Sequence, residues 1–240
     1  MLRLSDGRNF GRTLTGLCLI AAPVLLLIAA IVSPDVDDDN KAKELANIAA
    51  HKGSYLTGNL LWLLAAIVLI GASVGIIHMF RGRKVGLGQV AGSLMIMAGA
   101  VSFGWYAFAI VEYEMVNNSG IDRAAMAKFL DKADETAPII PFIVLFLLGV
   151  VVGLVLLGVA AWRRRMVPAW SAVLIAVAGV VAFFGESKGV EIVDFVILIA
   201  GLVPLGLVAL RMSDEEWDSP REPVPPAPPV ERAPAAAPAT

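Results

Sequence analysis

Acidic side chains beside long apolar runs are the residues of this sequence best equipped for chemistry. Glu112 and Glu114 close the third apolar stretch, while Glu191 and Asp194 open the sixth, three residues apart and so on one helix face. At ~1.5 Å per residue, Asp194 lies about one turn deep. Ionisable groups inside a bilayer are costly, which makes them functional candidates by default. If Glu112, Glu114, Glu191 and Asp194 meet in one cavity, they can hold a cation or share a proton, because neighbouring carboxylates resist joint ionisation. The plain alternative is interfacial acids within reach of water, some of them favoured by the N-terminus of the sixth helix. Other chemistry finds little support. The run Asp35-Val-Asp37-Asp-Asp39 begins like a calcium loop, but Asn40 stands where Gly is needed and Ala46 where a bidentate Glu is needed. It reads instead as a solvated acidic helix cap. His51 and His78 are far apart, and no His-x-x-x-His, Cys-x-x-Cys, nucleophile elbow or phosphate-cradling glycine pattern occurs. No catalytic residue, metal or cofactor is expected, and the chain reads as non-enzymatic.

The elements that position these acids follow from composition. The chain has 240 residues, 58% of them hydrophobic and only 17% charged, where soluble domains carry roughly 25% charged residues. That balance excludes an ordinary soluble enzyme, and a net charge of −2 gives no reason to expect nucleic acid. Crossing the hydrocarbon core takes ~20 apolar residues, with every backbone polar group bonded inside the helix. Six stretches qualify: Thr13–Val32, Leu56–Met79, Val85–Val111, Ile139–Trp162, Val167–Phe184 and Val190–Leu210, of which the fifth is the shortest. The expected fold is all-α, a polytopic membrane helical bundle of six transmembrane helices with two short extracytoplasmic amphipathic helices.

Basic residues set the orientation, since cytoplasmic loops retain Lys and Arg. One side holds Arg3, Arg8, Arg12, Arg81, Arg83, Lys84, Arg163, Arg164, Arg165, Arg211, Arg221 and Arg232; the other holds Lys41, Lys43, Lys52, Arg123, Lys128, Lys132 and Lys188 in longer, more acidic loops. Both termini are therefore expected in the cytoplasm, with residues 1–12 as an N-terminal tail and 13–210 as the transmembrane domain. The first apolar run is too long for a signal peptide and ends Ile31-Val32-Ser33-Pro34 without a small-x-small site, so it reads as an anchor. Cys18 lies within it and reads as a small packing residue.

Between the spans, Leu45, Ile48 and Ala49 mark one amphipathic helix behind the acidic run. Ile121, Ala125, Met126, Phe129 and Leu130 mark a second, with Ser119 as its expected cap. An offset of roughly 82 residues aligns the two regions weakly, making spans two and three, and four and five, equivalent hairpins. Gly71/Gly75, Gly88/Gly92 and Gly149/Gly153 have the small-xxx-small spacing that brings helices together in lipid, here read as packing within the bundle. Pro23 and Pro204 are expected to kink their helices. Trp62, Trp105, Tyr106, Tyr113, Trp162 and Trp170 read as headgroup-level anchors. Residues 211–240 form the C-terminal tail, and eight prolines from Ser219 onward predict disorder. The expected partners are the bilayer, anionic lipids at the basic turns, and a membrane-protein partner or second copy.

This layout, with its Gly-Arg-Thr start, Glu44-Leu-Ala-x-Ile-Ala-Ala outer helix, Trp-bearing second span and Arg-Gly-Arg-Lys turn, resembles small six-span bacterial membrane proteins of unknown function from GC-rich, actinobacterial-type genomes. The resemblance covers most of residues 10–210 and implies a fold without an activity. The leading functional expectation is a non-catalytic accessory or scaffold role in the plasma membrane; the alternative is a small ion-coupled transporter or permease using the four carboxylates.

Overall fold

In the computed structural model, which describes residues 7–35, 40–82, 86–134, 139–184 and 187–219, the apolar stretches form helices and no strand occurs among the described residues. The long helices are α1 (Gly7–Val32), α3 (Lys52–Met79), α4 (Leu87–Asn117) and α9 (Lys188–Arg211). A fifth long rod comprises α6 (Ile139–Leu147), a π-helical turn (Leu148–Val152) and α7 (Gly153–Arg163). Five helical segments are thus long and apolar enough to cross a membrane. The sixth expected span is shorter. Helix α8 (Ala169–Val181) tightens into a 3-10 turn at Ala182–Phe184, and its 16 or so residues reach only ~24 Å against a hydrocarbon core of ~30 Å. Pro23 and Pro204 both lie inside continuous helices.

The long helices form a ring in chain order. Helix α1 packs on α3, α3 on α4, α4 on α7, α7 on α8, α8 on α9, and α9 returns to α1. Each contributes to one shared core, represented by Leu19, Ile76, Met95, Leu157, Ile175 and Leu202. Glycines permit the close crossings. A Cβ on Gly206 would stand 2.9 Å from the Gly16 carbonyl, and one on Gly16 equally close to the Gly206 carbonyl. Gly75 lies against Thr15, Gly92 against the Ser73 carbonyl, and Gly149 against Ala98, so the small-residue pairs are used inside the bundle. Cys18 is buried beside Gly71, as its packing role requires. Buried Ser171 adds a hydrogen bond across α8 and α9, donating to the Gly201 carbonyl at 2.8 Å.

Two short helices, α2 (Lys41–Ala50) and α5 (Arg123–Asp134), cover the end of the α3–α4 pair opposite the basic turns. Leu45 and Ile48 meet Tyr55, Ala109, Val116, Ala127 and Leu130 in a second core cluster. Their caps differ from expectation. Asn40, rather than an aspartate, accepts from the amides of Ala42 and Lys43, and Asp122, rather than Ser119, accepts from those of Ala124 and Ala125. Asp37–Asp39 lie outside the described residues. On α5 the inward face keeps Met126 and Leu130 of the expected stripe and adds Ala127, whereas Phe129 is 58% exposed and Ala125 is also exposed.

At the basic end, the tail expected from residue 211 begins with ordered structure. Ser213 accepts from the Glu216 amide while the Glu216 carboxylate accepts from the Ser213 amide, and this capping box starts a five-residue helix, α10 (Asp214–Asp218). Residues 220–240 lie outside the described part of the chain.

Candidate functional site

Three helices bring polar side chains to the acidic end of the ring. On α3, Tyr55, Asn59 and Trp62 are spaced by four and three residues and share a face. Tyr55 donates to the Glu112 carboxylate at 2.8 Å, Asn59 donates to the Tyr55 carbonyl, and the Trp62 indole donates to the Ser33 hydroxyl at 3.1 Å. Helix α4 continues beyond Val111, which carries Glu112 and Glu114 onto its last turns. Helix α9 starts at Lys188 behind the Ser187 cap and so places Glu191 in its first turn.

The four sequence-predicted carboxylates occupy different surroundings. Glu112 is tied to Tyr55, and Glu114 is exposed. Glu191 lies within electrostatic range of both Tyr106 and Asp194. Asp194 is only 6% exposed, and its Oδ1 is buried with no hydrogen-bond partner. It continues the buried stripe of Leu198, Leu202 and Leu205, residues that belong to the central core. Asp194 therefore faces the ring interior, one turn above the apolar plug.

An aromatic wall stands beside this pair. Trp62 and Tyr106 stack with centroids 5.2 Å apart and planes 9° from parallel, and Phe195 meets Trp62 edge-on at 5.4 Å. This corrects the reading of Trp62 and Tyr106 as headgroup anchors: Trp62 is 7% exposed and packs with Ala29 and Ala30 of α1. Trp105, Trp162 and Trp170 do lie exposed, as anchors would. Sequence reasoning also missed Lys188, whose ammonium donates to the Ile31 and Ser33 carbonyls. A cation on those carbonyls satisfies the C-terminus of α1 and complements its dipole. The signal was the position of Lys188 at a span boundary, though nothing local named its partner.

Chemically, a buried carboxyl with one oxygen unpartnered, next to a second carboxyl and beside aromatic rings, suits a proton or a small cation. No group of three or more His, Cys, Asp or Glu able to hold a metal assembles among the described residues.

The basic end shows a different arrangement. Trp217 is buried, its ring stacked on His78 at 4.5 Å. Around it, Arg8 and Arg81 approach Asp218 at 3.5 and 3.6 Å, Arg12 approaches Asp214 at 3.4 Å, and Arg81 donates to the Trp217 carbonyl at 3.0 Å. The Ser213-x-x-Glu216 spacing followed by Trp was the sequence signal for this clamp. Across the ring, α7 ends in a turn in which the Arg165 amide bonds to the Trp162 carbonyl and the Met166 amide to the Ala161 carbonyl. This is a Schellman stop, and Arg165 at φ 50° holds the left-handed position usually given to glycine. Arg164 turns inward, 5.4 Å above the Phe80 ring.

The ring, its acidic-end polar face and the stretch through α9 all fall within one homologous region: the profile of a domain of unknown function, DUF4386, matches residues 14–211. The chain belongs to the DUF4386 family. The DUF4386 region takes in the long helices and both short covering helices, starting within α1 and ending with α9. Helix α10 lies beyond the match, while its partners Arg81 and His78 lie within it. No curated protein and no solved structure matches the chain. The family assignment agrees with the expectation of an uncharacterised group, and the chain is a membrane protein of unknown activity.

Proposed function

We propose that this protein crosses a bacterial plasma membrane six times and handles a proton or small monovalent cation, without catalysing a covalent reaction. In this reading α8 completes the sixth crossing with the help of its flanking residues, both termini are cytoplasmic, and α2 and α5 lie on the outer face. The observation that carries it is Asp194, a buried side chain at the top of the central core whose Oδ1 has no hydrogen-bond partner. Such a group is expensive unless it is used. Glu191 is the second carboxyl of the site; Glu112 and Glu114 belong to the surrounding surface, not to the ion path. The test is flux in proteoliposomes under imposed proton and sodium gradients. Asp194→Asn combined with Glu191→Gln is expected to bring flux to the level of empty vesicles, with Glu114→Gln unaffected. Equal flux in wild type and double variant removes the proposal.

A second reading, an accessory or scaffold subunit, is favoured by α6. Residues 140–144 are all exposed, so this apolar helix leans on α4 and leaves most of its circumference uncovered by the chain itself. Crosslinking from Phe142 in native membranes is expected to recover one partner in this case, and to yield only lipid adducts if the accessory reading is wrong.

A further inference from the structure

The basic end divides into two arginine clusters that are treated differently by the rest of the chain. On one side, Arg8, Arg12 and Arg81 are met by the carboxylates of α10. On the other, Arg163 and Arg165 are exposed and their guanidinium groups have no carboxylate or hydrogen-bond partner among the described residues. These two arginines line a hollow of about 360 Å³ together with Trp162, Val167 and Ala169. Trp162 is 60% exposed and stands at the end of a membrane-spanning rod, where an indole ring marks the headgroup level. Helix α8 begins behind Pro168 with no side-chain cap, which adds positive potential beside the same hollow. Arg164, between the two, is turned away over Phe80, so the lining arginines are separated by a fixed step in the turn.

We infer that this hollow is a site for the phosphodiester headgroup of an anionic phospholipid. The guanidinium groups of Arg163 and Arg165 recognise the phosphate oxygens. Trp162, largely exposed at the end of a membrane-spanning rod, sets the hollow at the headgroup level, which assigns the ligand to the bilayer rather than to a soluble phosphate. The contrast with α10 supports the assignment: where α10 supplies carboxylates the arginines are paired, and where the described residues supply none an open hollow remains. The inference is independent of whether Asp194 carries ions.

The full-length protein, purified in detergent and examined by native mass spectrometry with added phosphatidylglycerol or phosphatidylcholine, tests this site. Arg165→Gly is the informative variant, since glycine accepts φ 50° without cost and the turn survives while the charge is lost. Wild type is expected to retain one phosphatidylglycerol in preference to phosphatidylcholine. Arg165→Gly, alone and with Arg163→Gln, is expected to lower that retention by roughly 10-fold or more at an unchanged melting temperature. Arg8→Gln, whose arginine is engaged by α10, is expected to leave retention as in wild type. The inference is overturned by equal retention in wild type and Arg165→Gly, or by an equal loss in Arg8→Gln. Displacement of phosphatidylglycerol by excess inorganic phosphate also overturns it, by making the site one for a soluble anion.

Discussion

Asp194 illustrates a conflict between stability and use at the level of a single side chain. Its carboxyl is buried among apolar neighbours with Oδ1 unpaired, a situation a protein selected only for stability would relieve. Replacing it by Leu is expected to raise stability by roughly 1–3 kcal/mol, as removal of an uncompensated buried polar group generally does. A rise in melting temperature, measured in the same detergent as wild type, checks this, and a fall would mean that Asp194 has a structural partner. Tyr55 presents the opposite case, because its hydroxyl serves Glu112 at 2.8 Å. Tyr55→Phe is expected to destabilise by about 1 kcal/mol, read by the same assay. Both acids were visible in the sequence as charges at span ends. What separates them is the identity of the facing helix, and no spacing along α9 or α4 contains that information.

Elements were legible to the extent that they follow from local patterns. Apolar length gave the long helices and their order, and composition placed α2 and α5 between them. The failures concern ends and faces. Helix α4 runs to Asn117 because Val116 is buried under α2 and α5, a tertiary reward no propensity records. On α5 the spacing finds Met126 and Leu130 but takes in Phe129, the larger apolar residue, where the small Ala127 is the one that fits beside α2. Helix α10 was overlooked because a five-residue acidic segment has no stability alone and exists through Trp217. Trp217→Ala is therefore expected to release α10 as a unit and to speed tryptic cleavage after Arg211 several-fold. The remaining ion pairs at 3.4–3.6 Å are partly exposed and worth at most about 1 kcal/mol each. Unchanged cleavage would show that those pairs hold the helix without the ring. Ser171→Ala, by removing the buried bond to Gly201, is expected to loosen the α8–α9 crossing by about 1 kcal/mol.

For the whole molecule, the defining property is that the first and last long helices are neighbours. Their seam depends on Gly16 and Gly206, each under the other's backbone. Gly206→Val is expected to cost roughly 1–3 kcal/mol through overpacking, seen as a shift in SDS unfolding, while Gly189→Ala, with nothing within 4 Å of the added methyl, is expected to be neutral or mildly stabilising. Orientation belongs to this scale too. A phosphatase fused after Thr240 is expected to be inactive and a fluorescent protein fluorescent, since the basic end carries both termini in the proposed topology; an active phosphatase would invert it.

Closure of the ring also has a schedule. Gly16 is made about 190 residues before Gly206, which at roughly 5–20 residues per second means a delay of about 10–40 s. For the later part of that interval α1 has α3 (Lys52–Met79) as a partner, while the flank destined for α9 faces lipid. The Lys188 contacts to the end of α1 become possible first, the glycine seam next, and the Trp217 clamp last, so the molecule closes from its acidic end to its basic end. A chain cut short before α9 leaves α1 with an unmatched glycine face in the bilayer, a mark by which unfinished copies differ from complete ones.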